Sequence, residues 1–128
     1  MKGITYDSGA LIAAERGRAL LWRLHRRAIT QGMVPVVPSC VLAEVWRGGP
    51  QPELSRFLVG CTIEPLTEGD ARRVGAFAAH ARGFRASIVD VAVVEGALRR
   101  GHLVVTSDPE DLRAIAQSAG RRLAIEVV

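Results

Sequence analysis

The chain has 128 residues, 48% hydrophobic and 23% charged, enough for the core of one domain and too few for two. That balance excludes a disordered tail, and no apolar run approaches the roughly 20 residues that span a bilayer. Seventeen basic residues against 13 acidic ones give a net charge of +4, with Lys2 the only lysine. Such a balance suits a polyanionic partner, either nucleic acid or an acidic protein, although GC-rich coding raises Arg, Ala, Gly and Val together and accounts for the arginines as well. After Lys2 the apolar run is broken almost at once by Asp7, so no secretory segment is read and residue 1 is expected to begin the fold. Cys40 and Cys61 have no C-x-x-C partner and are expected to be buried free thiols of a cytoplasmic protein.

Ile4 to Tyr6 reads as a short buried strand ending at Asp7, and SGALIAAER then changes to helical spacing with Ser8 available as a cap. From Arg16 to Thr30 the residues Leu20, Leu21, Leu24 and Ala28 recur at helical spacing while arginines fill the other faces, an amphipathic helix with a basic side. Val34 to Val37 is a second strand, and Ser39 can cap a helix carrying Val41, Leu42, Val45 and Trp46, with Glu44 among them. After the Gly48 to Pro52 breaker run come a short helix around Leu54 to Leu58, a strand around Thr62 to Pro65, and a helix from about Thr67 to Arg82 opened by a T-E-G-D cap. Beyond Gly83, Ser87 caps the helix IVDVAVVEGALRR, which stops at Gly101. Leu103 to Thr106 forms a strand, Pro109 to Ser118 a helix and Leu123 to Val127 a last strand. This alternation predicts a single α/β domain over residues 1–128, with a parallel central sheet of four to five strands flanked by helices.

In open parallel sheets the functional site lies at the carboxyl ends of the strands. Asp7 directly follows the first strand and Asp108 comes two residues after Thr106, so the two converge if their strands are neighbours. Asp90 sits among branched apolar residues near the start of a helix, where an unpaired buried carboxylate costs several kcal/mol. Glu44 is likewise one acid on an apolar helix face just after a strand. Each alone reads equally well as a cap or a dipole partner. Together at one sheet edge they would repel unless a cation intervened, and hard oxygen ligands select magnesium, manganese or calcium over zinc. One or two such ions could serve, with Asp7, Asp90 and Asp108 as ligands and Glu44 binding metal or orienting a water that attacks a phosphodiester.

The segments YDSGALIA, SCVLAEVWR, ASIVDVAVV and VVTSDPEDL resemble, in order and spacing, the acidic motifs of PIN-domain ribonucleases, and the length is similar to that of VapC-type toxins of bacterial toxin–antitoxin pairs. The resemblance covers nearly the whole chain. It implies a PIN-like fold and a magnesium- or manganese-dependent endoribonuclease cutting structured RNA such as tRNA or rRNA. It also implies a homodimer and a cognate VapB-like antitoxin that blocks the acidic pocket. Carried over by position, the family's catalytic quartet falls on Asp7, Glu44, Asp90 and Asp108, with Asp111 a possible fifth acid. Ser8, Ser87, Thr106 and Ser107 match small polar positions that orient the acids or reach a phosphate, while plain capping explains Ser8 and Ser87 as well. Gly9 departs from the bulky residue many relatives carry there, with no loss of activity expected.

Arg47, Arg82 and Arg85 lie near the acidic motifs and could bind RNA phosphates at the pocket rim, although a solvated arginine is the plainer reading. Trp22 and Trp46 lie beside leucines or valines and are expected in core or dimer packing. His25, His80 and His102 share no ligand spacing. A phosphoacceptor domain or a haloacid-dehalogenase-like phosphatase needs a lysine after a late strand, which is missing. The remaining alternative is a catalytically silent PIN-like module that binds RNA or protein without cutting.

Overall fold

The computed structural model describes residues 3–81 and 86–128. Five strands, β1 (Ile4–Tyr6), β2 (Val36–Pro38), β3 (Thr62–Glu64), β4 (Leu103–Thr106) and β5 (Ile125–Val127), form one all-parallel sheet in the order β3-β2-β1-β4-β5. Among the described residues seven helices flank it: α1 (Ser8–Glu15), α2 (Ala19–Thr30), α3 (Ser39–Val45), α4 (Pro52–Val59), α5 (Glu68–His80), α6 (Ile88–Arg100) and α7 (Pro109–Ser118). None of them is long and apolar enough to cross a membrane.

The placement of the helices follows from the strand order and the handedness of parallel crossovers. From β1 the chain steps outward to β2 and β3, then crosses to β4 and β5 on the other side; right-handed connections therefore put α1 to α4 over one face and α5 to α7 over the other. The contacts agree, with α1 packed on α2, α3 and α4, and α6 packed on α5 and α7. The winding reverses between β1 and β4, paired Ile4 to Leu103 and Tyr6 to Val105, so the carboxyl ends of these two strands flank the switch point. Asp7 and Asp108 occupy that position.

Local sequence explains most of the elements. Every residue of α6 from Val91 to Ala97 is buried, so this helix is covered on all sides, and each such valine contributes about 1.5–3 kcal/mol. Its stop at Gly101 uses a left-handed φ of 69° that only glycine adopts without strain. The predicted Thr67 cap of α5 is a full capping box with Asp70, and Ser87 caps α6 through the Val89 amide.

Four expectations are corrected. The cap of α1 is Asp7, whose carboxylate accepts from the Ala10 amide at 2.9 Å, because the Asp–Ser pair leaves either side chain able to cap. Ser39 does not cap α3; Pro38 holds that position, and the Ser39 hydroxyl accepts from the Leu66 amide instead. The second strand begins at Val36 rather than Val34, since Pro35 has no N–H for the ladder and Val34 is exposed. The last strand begins at Ile125, not Leu123. The expected end of the Thr67 helix at Arg82 lies outside the described residues.

Beneath the site lies a buried aromatic group. Phe57 stacks on His25 with ring centroids 4.0 Å apart, and Tyr6 and Trp22 close around it at 4.8 and 5.2 Å. Burial holds His25 below the ordinary histidine pKa and raises that of Tyr6, and the phenol oxygen and the imidazole Nδ1 share a hydrogen bond of 2.8 Å. Of the two tryptophans only Trp22 serves the core; Trp46 is 41% exposed at the end of α3. Removing the phenol hydroxyl leaves a buried nitrogen without its partner, so Tyr6→Phe should lower unfolding stability by about 1–3 kcal/mol in urea denaturation at pH 7. A change under about 0.5 kcal/mol, the range of neutral surface substitutions, would show that the pair contributes nothing.

Candidate active site

The site is built outward from Asp7, which is 5% exposed at the end of the central strand. One carboxylate oxygen caps α1. The other accepts from the Thr106 hydroxyl at 2.6 Å, and that same hydroxyl oxygen accepts from the Asp108 amide at 2.9 Å. Thr106 therefore ties the ends of β1 and β4 and sets the backbone of Asp108, the residue that opens α7. A fully buried threonine in this position has no other use for its hydroxyl.

The remaining acids arrive on helices. Asp90 is half-buried in the first turn of α6, while Glu44 on α3 is exposed, so its expected apolar setting is corrected. The Ser8 hydroxyl donates to Glu44 at 2.5 Å, which fixes this otherwise free side chain to the start of α1. Asp108 and Asp111 are exposed at the start of α7. Ser87 is occupied as the α6 cap, and Ser107 is exposed on the turn between β4 and α7. Arg47 is exposed and donates to the Trp46 carbonyl; Arg82 and Arg85 lie outside the described residues.

Electrostatics bring the acids together. Asp7 is pushed up to about 6, first by burial and then by the charges of Asp90 and Asp108, against the lowering effect of its Thr106 and Ala10 hydrogen bonds. Asp90 is raised by burial and by Glu44, Asp111 and Asp108. All five acids are thus linked in one field, as four carboxylates at one sheet edge require. Oxygen donors alone, two of them strained toward protonation, fit a hard divalent cation. Among the described residues, however, no three acidic, histidine or cysteine side chains stand close enough to hold an ion as they are. Asp108 and Asp111, being exposed, have the rotamer freedom to close on one.

Gly9 has a positive reason to be glycine. A Cβ there would lie 2.5 Å from the Ser107 hydroxyl and 3.3 Å from its amide nitrogen, so its absence lets the turn after β4 press against the first turn of α1. The residue was visible in the sequence as a departure, but a close approach between segments about a hundred residues apart leaves no local signal. Asp7 as a cap was legible, since Asp ranks with Ser at that position. His25 and His102 are accounted for by Tyr6 and by Thr5, whose hydroxyl lies 3.1 Å from His102 Nδ1.

No family model and no curated protein matches the sequence. Solved structures do resemble it in fold. A chain of VapBC2 from Rickettsia felis, solved bound to a DNA fragment from its promoter, has a TM-score of 0.76 at 15% identity, covering 98% of each chain. PAE2754 from Pyrobaculum aerophilum has a TM-score of 0.60 at 16% identity, covering 98% of this chain and 83% of that one. At these identities the likeness is one of fold, and it bears out the PIN-like α/β architecture that the four motifs imply.

The raised Asp7 carboxyl makes a pH-dependent prediction for the metal-free protein. Its folded pKa lies above its unfolded one, so its stabilising contribution is complete below about pH 4 and is lost as pH rises through about 6. In chelator, Asp7→Asn should therefore gain on the wild type between pH 4.5 and 7.5, by at most about 3 kcal/mol, in paired thermal melts. Comparing the two proteins cancels the opposite trend of His25. A difference that is flat with pH would place the Asp7 pKa near its ordinary value.

Proposed function

We propose that this chain is a PIN-type endoribonuclease of the VapC kind, a toxin that hydrolyses phosphodiester bonds in tRNA or rRNA with magnesium or manganese and is neutralised in the cytoplasm by a VapB-like antitoxin. The observation that carries the reading is that Asp7 lies buried at the switch point of the sheet, bridged through Thr106 to the start of α7 where Asp108 stands. The ordered acidic motifs support it, as does the fold shared with a chain solved as VapBC2. The antitoxin and a homodimer belong to the same proposal.

Asp7, Asp90 and Asp108 would hold the cation. When bound, it supplies Lewis acidity toward a phosphate oxygen and lowers the pKa of water. The chain's own contribution is positional. Thr106 fixes the Asp7 carboxylate and the Asp108 backbone, which leaves the exposed Asp108 side chain to turn toward the ion. Glu44, steadied by Ser8 at the solvent side of the cluster, orients the attacking water and takes up its proton. Asp111 adds a further acid, and Arg47, Arg82 and Arg85, near the acidic motifs in sequence, are candidates for phosphate contacts.

The test is cleavage of total bacterial RNA by the antitoxin-free protein with magnesium, with manganese and with excess chelator. Discrete fragments should require metal, and Asp90→Ala should reduce their rate at least ~100-fold, as loss of a metal-shell residue does, while its far-ultraviolet circular dichroism stays that of the wild type. The separation of the acid side chains favours one other reading, a silent module that binds RNA without cutting. Intact RNA in every lane, from a folded protein that still retains RNA on a filter, would establish that reading instead.

A further inference from the structure

A glycine inside a helix is disfavoured unless something needs the missing side chain. Gly9 lies in the first turn of α1 and has no left-handed φ, so space and not backbone conformation calls for it. A Cβ there would stand 2.5 Å from the Ser107 hydroxyl oxygen and 3.3 Å from the Ser107 amide nitrogen. The hydroxyl belongs to an exposed residue and can turn away. The nitrogen is held on both sides, because the Thr106 hydroxyl donates to the Asp7 carboxylate and accepts from the Asp108 amide. The start of α1 is held by that same carboxylate through the Ala10 amide, and by Ser8 on Glu44. A side chain at position 9 would therefore wedge the starts of α1 and α7 apart by a few tenths of an ångström.

That increment is the one that separates small divalent ions from large ones. Oxygen ligands stand about 2.0–2.1 Å from magnesium and about 2.3–2.6 Å from calcium. Aspartate side chains are short, and they turn about Cα atoms whose positions these hydrogen bonds fix, so the spacing of α1 and α7 limits how closely the Asp7 and Asp108 oxygens approach. We infer that Gly9 is a positioning residue that sets the ion selectivity of the acid edge: by letting Ser107 close on α1, it holds Asp7 and Asp108 at the spacing of magnesium or manganese and against calcium. The inference rests on the reading of this edge as a cation site, and it assigns the choice of ion to a residue that carries no ligand atom.

The experiment is calorimetric titration of the full, metal-free chain with manganese and, separately, with calcium, so it does not depend on whether the protein cuts RNA. The wild type should bind manganese more tightly than calcium. Gly9→Ala should lose manganese affinity roughly tenfold, the low end of what loss of a group supporting metal ligands costs, while calcium affinity holds or rises. Gly75→Ala on α5, where a Cβ would meet nothing within 4 Å, brings the same gain in helix propensity and should leave both affinities unchanged. A general weakening of the fold would lower both ions by one factor, so equal losses in Gly9→Ala overturn the proposal, as does an unchanged ratio. A wild type that prefers calcium overturns it whether or not the variant folds. A wild type that binds neither ion removes the cation reading and this proposal together, whereas manganese binding whose preference over calcium is indifferent to position 9 removes this proposal alone.

Discussion

A carboxylate buried at the end of a central strand is costly unless its charge is answered, and Asp7 is answered by two donors from distant parts of the chain. The α1 amide fixes where the first helix begins. The Thr106 hydroxyl pulls the end of β4 level with the end of β1, and through its second bond it sets Asp108 and hence the direction of α7. Gly9 permits the close packing that brings these groups within reach. The switch point of the sheet is thus held by one polar knot, and the hydrophobic layers on either side are arranged about it. The hydrogen bonds are not strong enough to return Asp7 to an ordinary carboxylate.

The molecule combines two electrostatic scales. At long range its net +4 attracts polyanions. At the carboxyl edge of the sheet burial first, and then the charges of neighbouring acids, push Asp7 and Asp90 toward protonation. The two scales thus differ in sign: the whole chain is basic, and its acid-lined edge is not.

Much of this organisation is legible in the sequence because it is written in short-range signals. The stop of α6 at Gly101, the Thr67 capping box and the Ser87 cap depend on residues within one turn of each other, and each is found as expected. The parallel sheet follows from the alternation of strands and helices, whereas the adjacency of β1 and β4, on which the approach of Asp7 and Asp108 depends, was left conditional and is supplied by the fold. What local pattern could not supply is long-range. Thr106 as a bridge, Ser8 as the anchor of Glu44, and the fit of Gly9 under Ser107 all join positions that become neighbours only in the folded sheet.

The two outermost strands are each only three residues long, and each carries a glutamate, Glu64 in β3 and Glu126 in β5. An open parallel sheet exposes unpaired backbone groups along both margins, which invites other chains to extend it. Here the invitation is brief and charged. A foreign strand adding to either margin could form few hydrogen bonds before running off the end, and it would have to accommodate a carboxylate while doing so. A protein whose sheet has no closed barrel to hide its borders is in this way guarded against growing into a fibre.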